Sequence, residues 1–262
     1  MDLSRVGFGI AGALGTDLIR ELAPKVEAAG FHTLWINDTP TGDSLAMAAA
    51  AAAVTSHIRF GTGVIPIDRK PPAEIVRQIV DLEIPVHRLV LGIGSGRATT
   101  GALGLVRDSI TAIKQDLGVQ VVVGALGPRM RRVGAQDGDG ILLNWLTPKA
   151  ALEARQALKR DSDEVGKTDS RLITYVRTAY GEASVKRLAI EAANYGQNPF
   201  YAANFVRQGA DGIQASVSGD DGETLRAGLT AYLDAVDEVV VRAVTPDDTI
   251  AQLEVLLEQI AG

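Results

Sequence analysis

Short apolar runs alternate along the chain with longer segments of helical spacing. The runs are Val6–Ile10, Thr33–Asn37, Ile58–Ile65, Arg88–Ile93, Val119–Val123, Gly140–Trp145, Leu172–Ala179 and Glu238–Val244. Each is rich in Val, Ile or Leu, and polar or glycine-rich residues bound it. Such runs predict strands buried on both faces of a parallel sheet. Between them, Asp17–Ala29 sets Leu18, Leu22 and Val26 on one helical stripe, and Pro24 is expected to kink or interrupt it. Asp43–Val54 is alanine-rich and predicts a helix packed close to the sheet. Pro72–Leu82 repeats Ile75, Ile79 and Leu82 at helical spacing, and Ala102–Leu117, Pro128–Ala135 and Pro148–Lys159 follow the same logic. Thr147-Pro148 and Thr245-Pro246 each put a capping hydroxyl before a proline, the pattern of a helix start.

Eight buried strands, each followed by a helix, predict an α/β fold: a (β/α)8 TIM barrel forming one domain over residues 1–262. The segment between the seventh and eighth strands is enlarged. It holds Ala183–Ala193, a Gly/Asn/Pro break at Gly196–Pro199, Phe200–Gln208, a short apolar run Ile213–Val217 and Glu223–Ala235. Ile213–Val217 is an alternative eighth strand.

Composition narrows the function. Of 262 residues 46% are hydrophobic and 22% charged, enough to bury a large core. The net charge of −6 argues against nucleic acid as a partner. There are no cysteines and three histidines, which excludes thiolate chemistry and disfavours a metal site. No run is long and apolar enough to predict a membrane span, and Met1–Arg5 lacks the layout of a signal peptide. A cytoplasmic protein acting on a small-molecule substrate is expected.

Barrels of this kind place their chemistry at the C-terminal ends of the strands. His32, His57 and His87 fall before or at the starts of strands and are assigned to the opposite face. The catalytic face collects glycines instead: Gly12 and Gly15, Gly61-Thr62-Gly63-Val64, Gly92-Ile93-Gly94-Ser95-Gly96-Arg97, and Gly124-Ala125-Leu126-Gly127-Pro128-Arg129. Glycine admits close approach of a ligand to the backbone, and free N–H groups at a helix start suit phosphate. A flat or phosphorylated ligand at this mouth is therefore expected. Asp38 is the carboxylate placed there, with a helix cap as its structural alternative. Tyr175 and Tyr180 are candidates for the wall, with burial in the core as the alternative.

At these residues the chain resembles the bacterial-luciferase-like family, and within it the coenzyme F420-dependent reductases and dehydrogenases. The matching stretches are Ala28–Asp38, Thr55–Val64, Arg88–Gly96, and Ala125–Met130 with Asp139–Trp145. The resemblance implies a barrel binding a deazaflavin (coenzyme F420) or, alternatively, FMN at its mouth, in a homodimer. It implies a non-proline cis peptide at Gly63-Val64, against which the ring rests. It gives Ser95, Gly96 and Arg97, and the turn Ala125, Leu126, Gly127, Pro128, Arg129 and Met130, to the cofactor's tail and phosphate. Asp38 would orient the ring and take the catalytic role. Relatives that oxidise sugar phosphates carry a histidine after the aspartate and a glutamate after the glycine of the fourth strand. Thr39 and Arg97 stand at those positions here. The expected function is F420-dependent hydride transfer. The alternatives are an FMN-dependent luciferase-like monooxygenase, and a cofactor-binding protein without turnover.

Overall fold

The computed structural model describes all residues from Met1 to Gly262. Strands β1 (Val6–Ala11), β2 (Thr33–Asn37), β3 (Arg59–Thr62), β4 (Ile65–Pro66), β5 (Leu89–Gly94), β6 (Gln120–Gly124), β7 (Gly140–Asn144), β8 (Arg171–Tyr180), β9 (Ser216–Gly219) and β10 (Glu238–Val244) alternate with helices. All pairings are parallel, and the ring runs β1-β2-β3-β5-β6-β7-β8-β10. It closes where Val6–Gly9 of β1 pair with Val239–Arg242 of β10. The eighth barrel strand is therefore Glu238–Val244. The run at Ile213–Val217 yields β9 instead, which extends the sheet beside the upper half of β8. The third predicted strand is divided into β3 and β4 at Gly63-Val64.

Strand alternation sorts the barrel interior into layers. At the base, the buried Glu238 accepts from Trp35 Nε1 at 2.7 Å and from Arg171 at 3.1 Å, while Arg59 donates to Gln120 at 2.7 Å. Above lies an apolar layer of Trp35, Val90, Val122, Leu142, Ile173, Tyr175 and Val240. The outward phase of the strands, such as Val121, Val123, Val239 and Val241, packs under the surrounding helices in the main core.

The helices are α1 (Gly15–Ala28), α2 (Ser44–Ala52), α3 (Pro72–Asp81), α4 (Ala102–Leu117), α5 (Pro128–Gln136), α6 (Pro148–Asp163), α7 (Gly181–Gly196), α8 (Pro199–Gln208), α9 (Gly222–Leu233) and α10 (Ile250–Ala261). Between β8 and β10 lie α7, α8, β9 and α9.

Two local expectations are corrected. Helix α1 runs through Pro24 because Ile19, Leu22, Ala23 and Val26 are all fully buried. Burying an Ile, Leu or Val side chain is worth ~1.5–3 kcal/mol, so three of them outweigh the ~3 kcal/mol cost of an internal proline. Thr147 caps α6 as expected, accepting from the Ala150 N–H at 3.2 Å. Thr245-Pro246, however, starts no helix. Thr245 and Asp248 close a turn on each other through two 3.0 Å bonds, and α10 begins only after Thr249. No helix is long and apolar enough to cross a membrane.

Candidate active site

The C-terminal ends of the strands surround a shallow bowl whose floor is built by glycines. A Cβ on Gly94 would meet Val64 at 2.8 Å, and one on Gly124 would meet it at 2.9 Å. The glycines that end β5 and β6 thus make room for the Val64 side chain. The Gly63-Val64 peptide bond is cis, as the resemblance implies. Gly63 is clamped from the neighbouring strand: its N–H donates to the Ile36 carbonyl at 2.8 Å and its carbonyl accepts from Asn37 Nδ2 at 2.9 Å. A Cβ on Gly63 would collide with the Tyr175 hydroxyl, so Tyr175 reaches the floor from the opposite wall.

Polar atoms around this floor lack partners. Asn37 Oδ1, Thr39 Oγ1, the Tyr175 hydroxyl and Trp145 Nε1 are buried and make no hydrogen bond. Burial pushes the Tyr175 phenol far above its ordinary range, which keeps it protonated and available as a donor. Tyr180, on the opposite strand phase, packs against the outer core instead.

Two loops form the rim. After β5, Gly96 takes φ +61°, and a Cβ there would collide with Asp68, whose carboxylate accepts from the Arg97 N–H at 2.8 Å. Ser95 is half-buried, and the Arg97 side chain is exposed without a hydrogen bond. After β6, Ala125 is buried and Leu126 and Gly127 half-buried. Gly127 caps α5 without a side-chain bond, and Pro128 occupies its first turn. That turn leaves backbone N–H groups free for an anion. Arg129 is exposed, while Met130 packs on the core.

Asp38, expected to orient the ring and act in catalysis, is held by its neighbours. Its side chain is 2% exposed, and both of its oxygens are taken. Oδ1 pairs with Arg69, and Oδ2 accepts from Ser44 Oγ at 2.8 Å. The carboxylate ties the loop after β4 to the start of α2, so it does not face the bowl as a free base. Asp43, rather than Asp38, caps α2 through Leu45 and Ala46.

The far wall carries chemistry that the apolar-run reading passed over. Arg177, 3% exposed, lies over the Trp145 ring at 4.0 Å and the Tyr195 ring at 4.8 Å. It pairs with Glu191 at 2.9 Å and donates to Asn144 Oδ1. Arg242 is its direct neighbour on β10. Counting by twos from Tyr175 and from Glu238 puts both arginines on the inner face at the mouth end, and that was the available signal. The histidines sit at the base end, His32 before β2, His57 before β3 and His87 before β5. Two surface hollows, of about 220 and 270 Å3, lie outside the bowl, one by α6 and the segment before β8, the other among α5, α6 and α8.

Comparison with known proteins places this architecture. Residues 7–105 match the family model of the luciferase-like monooxygenases. A 5,10-methylenetetrahydromethanopterin reductase of Methanolobus tindarius is 25% identical over 287 aligned positions, which cover 92% of this chain and 86% of the relative. The solved structure of the coenzyme F420 dependent tetrahydromethanopterin reductase from Methanopyrus kandleri superposes with a TM-score of 0.79 at 17% identity, covering 98% of each chain. The oxygenating constituent of 3,6-diketocamphane monooxygenase from Pseudomonas putida, solved with FMN, superposes with a TM-score of 0.68 at 15% identity over 97% of this chain and 98% of that one. The chain is thus similar to the luciferase-like monooxygenases over residues 7–105 and shares the (β/α)8 fold of these solved structures along its length.

Proposed function

We propose that the protein is an oxidoreductase that uses coenzyme F420 to transfer hydride between the deazaflavin and a small organic substrate at the barrel mouth. The observation that carries this reading is the floor itself. Val64 lies against Gly94 and Gly124, the ends of β5 and β6, as an apolar platform beside the orphaned Asn37 Oδ1 and Tyr175 hydroxyl. A flat heteroaromatic ring with donor and acceptor edges satisfies both features. The reductase relatives support F420 as that ring. Bound there, F420 supplies hydride exchange at its ring carbon C5.

The chain's own residues position and enclose. Asn37 Oδ1 accepts from a ring N–H, with its amide nitrogen already fixed on Gly63. The neutral Tyr175 phenol donates to a ring or substrate oxygen. The first turn of α5 receives the phosphate, and Arg97 and Arg129, unpaired on the rim, meet the anionic tail. Trp145, Tyr195 and Tyr201 form an aromatic wall, with ring centroids 5.0 Å and 4.6 Å apart along the series, which limits water at the far side. Thr39 and Arg97 provide no acid–base pair for deprotonating an alcohol, so the site suits reduction of an electron-poor acceptor.

Titration of the apo protein with F420 and FMN side by side, followed by absorbance and fluorescence, tests the proposal. Tighter binding of F420, with reductase turnover of activated alkenes or imines, is the expected result. Preference for FMN would move the assignment to the monooxygenase branch. Tight F420 binding without turnover over a broad acceptor panel would leave a cofactor-binding protein.

A further inference from the structure

We propose that the substrate of this mouth is an oxyanion, a carboxylate or phosphate, and that Arg242 is the residue that grips it. The proposal rests on the reading of the mouth as a hydride-transfer site and adds to it the substrate class.

The argument starts from register. Arg177 and Arg242 are paired Cα partners on adjacent parallel strands, and alternation turns both to the inner face. Like charges directly opposite one another in a sheet destabilise it. A sequence that keeps such a conflict inside a barrel keeps it for a site. The two guanidiniums are not equivalent. Arg177 is fully engaged by Glu191, Asn144 and the two aromatic faces. Arg242 makes no ion pair, and its one hydrogen bond goes to the carbonyl of the next residue, Ala243.

The charge count is uneven. Arg177, Glu191 and Asp248 are the charged groups around Arg242, with Tyr195 beside them. Asp248 is already held by Arg187 at 2.6 Å, and Glu191 by Arg177 at 2.9 Å. One partly buried guanidinium is left over, its charge opposed by desolvation. An incoming oxyanion supplies the missing partner, and the planar fork takes two oxygens at once.

Position selects substrate over cofactor. The ring floor lies at β3 and β4, and β8 stands across the barrel from β3 with β10 beside it. The turn assigned to the cofactor phosphate follows β6, on another side of the ring. An anion held by Arg242 therefore faces the ring across the bowl, where an acceptor must sit.

The test uses malonate and inorganic phosphate as probes. Each is titrated by calorimetry at constant ionic strength into the apo and the F420-saturated protein. Malonate, phosphate or both are expected to bind once per chain, and which is tighter separates a carboxylate substrate from a phosphate one. Arg242→Gln should weaken that binding at least tenfold, the size of a lost charge-assisted bond. The same change should leave the melting temperature equal or higher, because it relieves the repulsion with Arg177. Glu191→Gln should tighten anion binding, because it removes the internal competitor. A merely structural arginine would show neither of these last two effects. Unchanged anion affinity in Arg242→Gln overturns the proposal. So does an equal loss of F420 affinity in that variant, which would give Arg242 to the cofactor. If neither F420 nor FMN binds while the Arg242-dependent anion site persists, the hydride-transfer reading fails and the anion grip stands.

Discussion

Asp38 and Arg177 are both nearly excluded from solvent beside the mouth, and the sequence singles out only Asp38. Asp38 reads as a functional carboxylate because it ends a strand at the catalytic face. Its oxygens are nonetheless spent on Arg69 and Ser44. Asp38→Asn should lower stability by about 1–2 kcal/mol, intermediate between an exposed and a fully buried ion pair because Arg69 is 44% exposed. Thermal denaturation checks this, and F420 affinity should stay unchanged. A variant with native stability and lost affinity would return Asp38 to the ligand. Arg97 is the converse case, exposed and unpaired. Arg97→Ala should cost about fivefold in F420 affinity at low salt, the upper range for a surface pair, and almost nothing in high salt. Equal affinity at both salt concentrations would leave Arg97 a solvated rim charge. Gly96 and Gly63 were legible as glycines at a mouth. What requires them, Asp68 in one case and the Tyr175 hydroxyl in the other, comes from segments distant in sequence.

At the scale of elements, the eight apolar runs were readable because strands buried on both faces need continuous apolar sequence. What hid from that reading was whatever interrupts it. Arg177 and Arg242 lie inside apolar runs, and their phase is that of Tyr175 and Glu238. Pro24 does not interrupt α1 and Thr245-Pro246 opens no helix, because local signals yield to tertiary contacts: a buried face holds α1 together, and the Thr245–Asp248 turn serves the Arg187 ion pair. The base shows the same interdependence. Glu238 is fully buried and joins β2, β8 and β10 through Trp35 and Arg171. Glu238→Gln keeps the size and removes the charge, leaving the base arginines without a carboxylate. A loss of about 3 kcal/mol is expected in chemical denaturation. A loss below ~0.5 kcal/mol would mean that the base tolerates unpaired guanidiniums.

For the molecule as a whole, the histidine part of the pH response, between pH ~7 and ~5, should come from the base. Burial, helped by Arg171 and Arg59 and opposed by Glu238, holds the His32 pKa below its ordinary value. The unfolded chain then takes up the proton first as pH falls. Stability contributed by the neutral imidazole is complete well above pH ~6.5 and declines below it, with a slope of at most ~1.4 kcal/mol per pH unit. His32→Asn should flatten denaturation midpoints between pH 7 and 5. A wild-type midpoint that does not fall in that interval would show that His32 does not couple to folding.

The layering of the interior has a consequence for how such a protein can diversify. Arg171 at the base and Arg177 at the mouth occupy the same strand, six residues and therefore ~20 Å apart. At that separation two unit charges interact by less than ~1 kcal/mol at an effective dielectric constant of ~20, and the apolar layer of Trp35, Val90, Val122, Leu142, Ile173 and Val240 lies between them. Charges at the top of β8 and β10 can thus be exchanged, inverted or deleted with little effect on the electrostatics of the base. New substrate preferences become reachable by single codon changes at Arg242, whereas a change at Arg177 must also release Glu191.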